Sequence, residues 1–180
     1  MSKLTSIGRV SYPELFAATQ VAGQGAFKYR VTLIFDADDP WLKQLRADVE
    51  ASAKAFWPTK RPKDWRDPLI DGDSLENTSP ETDGKIIVRL TANDDRQPGV
   101  VDHQVAPITR ESGKLYAGCY ARASYSVYSY SKAGNNGTAI GINNLQVVRD
   151  GDPLGSARSK AEDDFNAVPA DELPDDDAPF

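Results

Sequence analysis

Apolar and polar residues alternate along several stretches of this 180-residue chain, and the alternation predicts strands. In residues 27–36, Phe27, Tyr29, Val31, Leu33 and Phe35 share one face, while Lys28, Arg30 and Thr32 take the other. That is a strand with one buried side. An earlier strand is expected through Leu4–Tyr12, ending at Pro13, with Gly23-Gln24-Gly25 turning the chain into the next one. Residues 40–56 follow a different period. Leu42, Leu45, Val49, Ala53 and Phe56 recur at spacings of three and four, which makes one apolar helical stripe. Asp38 or Asp39 supplies the N-cap, Pro40 opens the first turn, and Pro58 ends the helix. Residues 58–84 are rich in Pro, Asp, Gly and charge and predict a long loop, a segment usually functional or mobile in a compact domain.

Strand patterns resume at Lys85–Ala92 and around Val100–Ile108. In residues 115–130 the odd positions, Leu115 through Val127, are mostly apolar. At roughly 3.3 Å per residue a straight strand of this length would span about 50 Å, so a bend is expected near Gly118 or the serines. Asn136-Gly137 predicts a hairpin turn, and the parity change between Ile142 and Leu145 predicts a β-bulge at Asn143-Asn144. No internal repeat is present. From Gly151 onward no apolar periodicity survives. The expected organisation is one domain, residues 1–150, and a disordered acidic tail, residues 151–180. The domain reads as mainly β with one or two helices, a five-stranded, partly open barrel decorated with a long loop.

The even positions of the 115–130 stretch carry the chemistry. Tyr116, Tyr120, Tyr128 and Tyr130, with Arg122 among them, share the outward parity. Exposed rings stack on the free faces of single-stranded bases, and neighbouring cations neutralise phosphates. Lys28 and Arg30 extend the basic side if they share that face. Lys54–Arg66 is a second candidate, in which Lys60, Arg61 and Lys63 interleave with Trp65 on a Pro-containing loop. The plainer alternatives are that tyrosines favour strands anyway, and that Phe56 and Trp57 anchor the helix end in the core.

Composition sharpens this picture. The net charge of −6 comes from 21 bases and 27 acids, yet residues 161–180 hold eight acids and no Lys or Arg. Without those eight, 19 acids face 21 bases, a body of net +2 with an acidic tail. One cysteine and one histidine exclude an internal disulfide and the usual four-ligand zinc site. No span of membrane length and no signal-peptide pattern occurs, so a cytoplasmic protein is expected. Cys119 with His103 would make a nucleophile pair, but Cys119 lies on the apolar parity. Asp71, Asp73, Asp94, Asp95 and Asp102 would suit a Mg²⁺ nuclease, but they sit where turn chemistry places Asp. No enzyme, cofactor or metal is expected.

The last residues, Asp175-Asp176-Asp177-Ala178-Pro179-Phe180, can seat one ring in an apolar pocket while a basic rim holds the acids. This ending resembles the acidic tip of bacterial single-stranded DNA-binding proteins, which recruits replication and repair proteins. The body is similar to the single-stranded DNA-binding proteins of tailed bacteriophages, over Arg9–Phe16, Tyr29–Phe35, Pro98–Asp102, Leu115–Ala123 and Gly141–Val147. The resemblance implies an OB-fold that binds single-stranded DNA in the cytoplasm of an infected bacterium. It implies protein partners for the tip in replication or recombination, with self-association on DNA left open. A minimal OB barrel carries its helix between the third and fourth strands, whereas the pattern here puts it after the second. Either a strand before Asp36 is unread or the barrel is decorated. The competing reading is a protein–protein adaptor or recombination accessory that binds no DNA.

Overall fold

The computed structural model describes residues 3–21 and 23–155. Its strands are β1 (Lys3–Leu4), β2 (Gly8–Val21), β3 (Gln24–Asp36), β4 (Leu69–Asp71), β5 (Lys85–Asn93), β6 (Gly99–Val101), β7 (Tyr120–Lys132) and β8 (Asn135–Arg149). One α-helix lies among the described residues, α1 (Pro40–Phe56). It is not long and apolar enough to cross a membrane.

Pairing follows the sequence β7–β2–β3–β5–β8 and returns to β7, so five strands form a ring. The antiparallel pairs β2–β3, β3–β5 and β7–β8 are long. The two remaining seams are short. β2 meets β7 through Gly8↔Ala121 and Arg9↔Tyr120, and β5 meets β8, in parallel, through Leu90↔Ile140 and Thr91↔Gly141. The result is an OB-like, partly open barrel. Val10, Val31, Leu33, Val88, Leu90, Ala121, Ala123, Ile140 and Leu145 fill its interior. β1 pairs with β7, β6 with β8 and β4 with β5.

Helix α1 forms where its stripe requires. The Asp39 carboxylate accepts a hydrogen bond from Trp41 N at 2.9 Å, a cap of the kind that contributes about 1 kcal/mol. Leu42, Leu45, Val49 and Ala53 are buried, each leucine contributing roughly 1.5–3 kcal/mol. Trp41 stacks on Phe35 at 4.8 Å and edge-on to Tyr125 at 5.6 Å, which fixes the helix against β3 and β7. The helix follows the second strand of the ring, so the barrel is a decorated OB topology.

Several expectations are corrected. The first strand does not stop at Pro13: β2 runs on to Val21, with a register shift between Ser11 and Glu14 where Pro13 owes no ladder bond. Phe27 is 51% exposed, beyond the reach of the core, and Phe56 is 48% exposed at the helix end, edge-on to Trp57 at 4.6 Å. The 58–84 segment contains β4 and a 3-10 turn at Gly72–Ser74. Only β6 forms within 100–108. The β7–β8 turn falls at Ala133-Gly134, both at positive φ (51° and 77°), and Asn136-Gly137 lies inside β8. A methyl group on Gly137 would stand 2.8 Å from the Tyr130 hydroxyl and 3.1 Å from Arg66 Cβ, so this glycine serves close packing. The bulge is where the parity placed it, since Ser124 pairs with Asn144 and Tyr125 with Ile142, leaving Asn143 unpaired.

Candidate nucleic-acid interface

Residues paired across neighbouring strands point to the same side of a sheet. One such row crosses five strands on the outside of the barrel: Glu14↔Arg30, Arg30↔Thr91, Thr91↔Gly141 and Gly141↔Ser126. The rows beside it hold Thr32↔Arg89, Lys28↔Asn93 and Tyr128↔Ala139. Together they make a polar, basic face on β3, β5, β8 and β7. A methyl on Gly141 would lie 3.5 Å from Tyr128 Cε1 and 3.0 Å from Ser126 Oγ, so the tyrosine ring leans over this glycine. Tyr128 remains 42% exposed. It borders a concavity of about 330 Å³ with Thr91, Asn93, Arg96, Gln97 and Asn143. A second groove, about 700 Å³, opens on the same face between Thr32, Ile34, Ile87 and Arg89, walled by Tyr12 and by residues 75–82. Arg89 and Thr91 alternate on β5 and join the two.

The sequence-predicted residues distribute unevenly over this geometry. Tyr128 and Tyr130 stand on the face with Lys28. Arg30 is there too, but its Nη1 donates to Thr19 O at 2.6 Å and to Thr19 Oγ1 at 3.0 Å, tying down the far half of β2. The bulge opposite Ser124–Tyr125 divides the outward row of β7. Beyond it, Arg122 Nε donates to Gln146 Oε1 at 2.8 Å, toward the β6 loop. Tyr120 carries the Arg149 guanidinium over its ring at 3.9 Å, with Arg9 at 6.0 Å. Tyr116 is not on a strand at all. Its partly buried hydroxyl donates to Gly151 O at 2.9 Å and accepts from Gly151 N at 3.0 Å, so it fastens the segment that leaves the barrel. Burial also pushes the Tyr116 hydroxyl pKa up. That segment crosses Gly118, at φ 115°, where a side chain would meet Asp152 O at 2.1 Å. Leu154 N donates to Ala117 O at 2.9 Å, so the chain stays docked on the barrel as far as Leu154.

The 58–66 loop is pinned to the end of the β7–β8 hairpin. Trp65 packs on the core and donates from Nε1 to Thr138 Oγ1 at 3.1 Å, which places it as an anchor. Arg61 sits over the Trp65 ring at 4.3 Å and pairs with Glu50 at 2.6 Å, holding the Glu50 carboxyl below its usual range. Lys60 and Lys63 are exposed, without a salt-bridge partner among the described residues. Arg66 N donates to Asn136 O at 3.0 Å, and Asn136 donates to Asp64. The tip residues Asp175, Asp176, Asp177, Pro179 and Phe180 lie outside the described residues.

Arg89, Thr91, Asn93, Tyr12, Arg9 and Arg149 were not singled out from the sequence. For β5 the signal existed: Arg89, Thr91 and Asn93 alternate with the buried Val88 and Leu90. Ile87, on the outward parity yet buried, obscured it. Arg149 reaches Tyr120 only because a register shift after Tyr120 aligns the two, and no local pattern announces that.

Several residues of the enzyme alternatives are engaged elsewhere. Cys119 is fully buried and burial pushes its thiol pKa up. The Asp71 and Asp102 carboxylates accept backbone N–H bonds within their own turns, and Asp73 accepts from Gly84 N. No group of three or more metal-ligating side chains occurs among the described residues.

Comparison with known proteins agrees with the fold. The chain is similar to the bacteriophage Enc34 single-stranded DNA-binding protein solved in complex with ssDNA, at 19% identity and a TM-score of 0.73, covering 84% of this chain and 88% of that one. It is also similar to gp2.5, the single-stranded DNA-binding protein encoded by bacteriophage T7, at 14% identity and a TM-score of 0.62, covering 88% and 97%. Among curated sequences it is 31% identical over 180 residues to protein p50 of Acyrthosiphon pisum secondary endosymbiont phage 1, covering 95% of this chain and 97% of that one. The sequence model described as Enterobacter phage Enc34, ssDNA-binding protein, matches residues 2–178, and the chain belongs to that phage family.

Proposed function

We propose that this protein binds single-stranded DNA, with little sequence preference, along the outer face of β3, β5, β8 and β7. It then coats exposed strands during phage replication, recombination or repair, in the cytoplasm of the infected bacterium. The observation that carries the reading is the shared face: Tyr128 and Tyr130 beside Lys28 and Arg89, on a concave band, in a member of this family. Stacked bases contribute roughly 1–3 kcal/mol each, and duplex DNA keeps its bases hidden, so such a band discriminates by strandedness. Lys60 and Lys63, beside the hairpin end, extend the basic path, while Tyr120 with Arg149 and Arg122 form its outlying part. The Asp175–Phe180 tip recruits replication or recombination proteins, and the 1–150 body acts without it as the DNA-binding unit. The body does no chemistry on the strand.

The test is the affinity for oligo-dT and for duplex across a range of salt. Preference for the single strand is expected, with a log–log salt slope of about −0.7 per phosphate contacted. Tyr128→Ala should cost roughly 1–3 kcal/mol without changing that slope, whereas Lys28→Gln should make it shallower by about 0.7. Equal affinity for single strand and duplex would sink the proposal, and binding to neither would favour the adaptor reading.

A further inference from the structure

We infer that the groove between β2, β3, β5 and residues 75–82 is a base-binding subsite, with Tyr12 as its stacking platform and Arg89 meeting the adjoining phosphate. The inference rests on the single-stranded DNA reading and adds a place where one nucleotide is held.

The groove encloses about 700 Å³, within the range of sites that take molecules of nucleotide size. Its floor is apolar at one end, where Ile34 pairs with Ile87, and polar at the other, where Thr32 pairs with Arg89. The Arg89 side chain is exposed and has no hydrogen-bond or ion-pair partner among the described residues. From Arg89 the floor continues through Thr91 into the concavity beside Tyr128.

Tyr12 is the unusual residue. It is 75% exposed, and its backbone stands at φ 46°, in the left-handed region that bulky residues avoid. Its hydroxyl has no hydrogen-bond partner among the described residues, and its ring buries little of its own area. The fold therefore gains little from the ring it holds in a strained pose, which is a mark of ligand sites. Glu76 and Glu81 also line the groove, within the 75–82 segment. Two carboxylates repel phosphate, so the sugar–phosphate chain runs on the Arg89 side and the base turns inward against Tyr12.

Fluorescence anisotropy with labelled oligo-dT tests this on the full chain and on Tyr12→Phe, Tyr12→Ala, Tyr12→Gly and Arg89→Gln variants. Tyr12→Phe should bind like the parent, since the ring is kept. Tyr12→Ala and Tyr12→Gly should bind roughly ten-fold more weakly. Tyr12→Gly should also melt at a higher temperature than Tyr12→Ala, because glycine accepts the positive φ without strain, so an equal loss of binding in the two does not follow stability. Arg89→Gln should bind more weakly at low salt and with a shallower salt slope. Parental affinity in both Tyr12→Ala and Tyr12→Gly would overturn the subsite. A parent chain with no preference for single strands would instead remove the reading beneath it.

Discussion

Val105 shows how one charge can hold a short turn in an unfavourable shape. A β-branched residue at φ 65° costs about 1–2 kcal/mol in its backbone, and Val105 is also 68% exposed. The turn survives because the Asp102 carboxylate accepts from Gln104 N and Ala106 N, both at 2.9 Å, with Lys114 Nζ 3.4 Å away. The Ala106 N–H above all, then Gln104 and Lys114, hold this carboxyl below its ordinary value of 3.8. The unfolded chain does not, so the contribution is complete above about pH 4 and is lost as the pH falls toward the folded value. Asp102→Asn should therefore melt at a lower temperature at pH 7, and the gap to the parent should narrow below pH 4. Melting curves that stay equally far apart from pH 7 to pH 2 would exclude this role. At this scale the sequence was informative wherever parity alone decides orientation, as for Tyr128, Tyr130 and Lys28. It was silent where a contact depends on distant segments, as for Tyr116 under Gly151 or Arg149 over Tyr120.

The elements divide in the same way. Helix α1 was legible from its first capping residue to its last turn, because cap, proline and apolar stripe all lie within one continuous stretch. The β8 bulge was legible because a bulge shifts parity, and parity is written in the residues. The hairpin turn was not. Asn136-Gly137 is the stronger local signal for a tight turn, yet Ala133-Gly134 takes it, since Gly137 has no room for a side chain beside Tyr130 and Arg66. Ala133 is consequently held at φ 51°, where asparagine is tolerated better. Ala133→Asn should stabilise the protein by roughly 0.5–1 kcal/mol, read from urea unfolding. An unchanged midpoint would mean that the turn carries no strain. Little in the 58–84 stretch predicted β4, whose three residues pair with β5 only because the barrel already presents that strand.

For the molecule as a whole, the net charge of −6 misdescribes the surface that matters, because the acids are concentrated at one end of the chain. Leu154 and Gly155, the last described residues, line the same groove as Arg89 and Tyr12. The last described residues therefore lie on the candidate DNA path, and the acids of the tail follow from Glu162 onward. Deleting residues 171–180 should tighten binding to oligo-dT several-fold at low salt, with the gain shrinking as salt rises. Equal affinity of the truncated and full chains at low salt would show that the tail stays clear of the path. Phe180→Ala should leave DNA affinity unchanged.

The ring of strands has two short closures, and one of them, Leu90↔Ile140 with Thr91↔Gly141, runs beneath the middle of the candidate path. A polymer lying there would span the joint as a splint spans a fracture, touching β3 and β5 on one side and β8 and β7 on the other. Occupancy would then be felt mechanically in the barrel itself: the two halves, joined there by only two residue pairs, would be braced by what they carry.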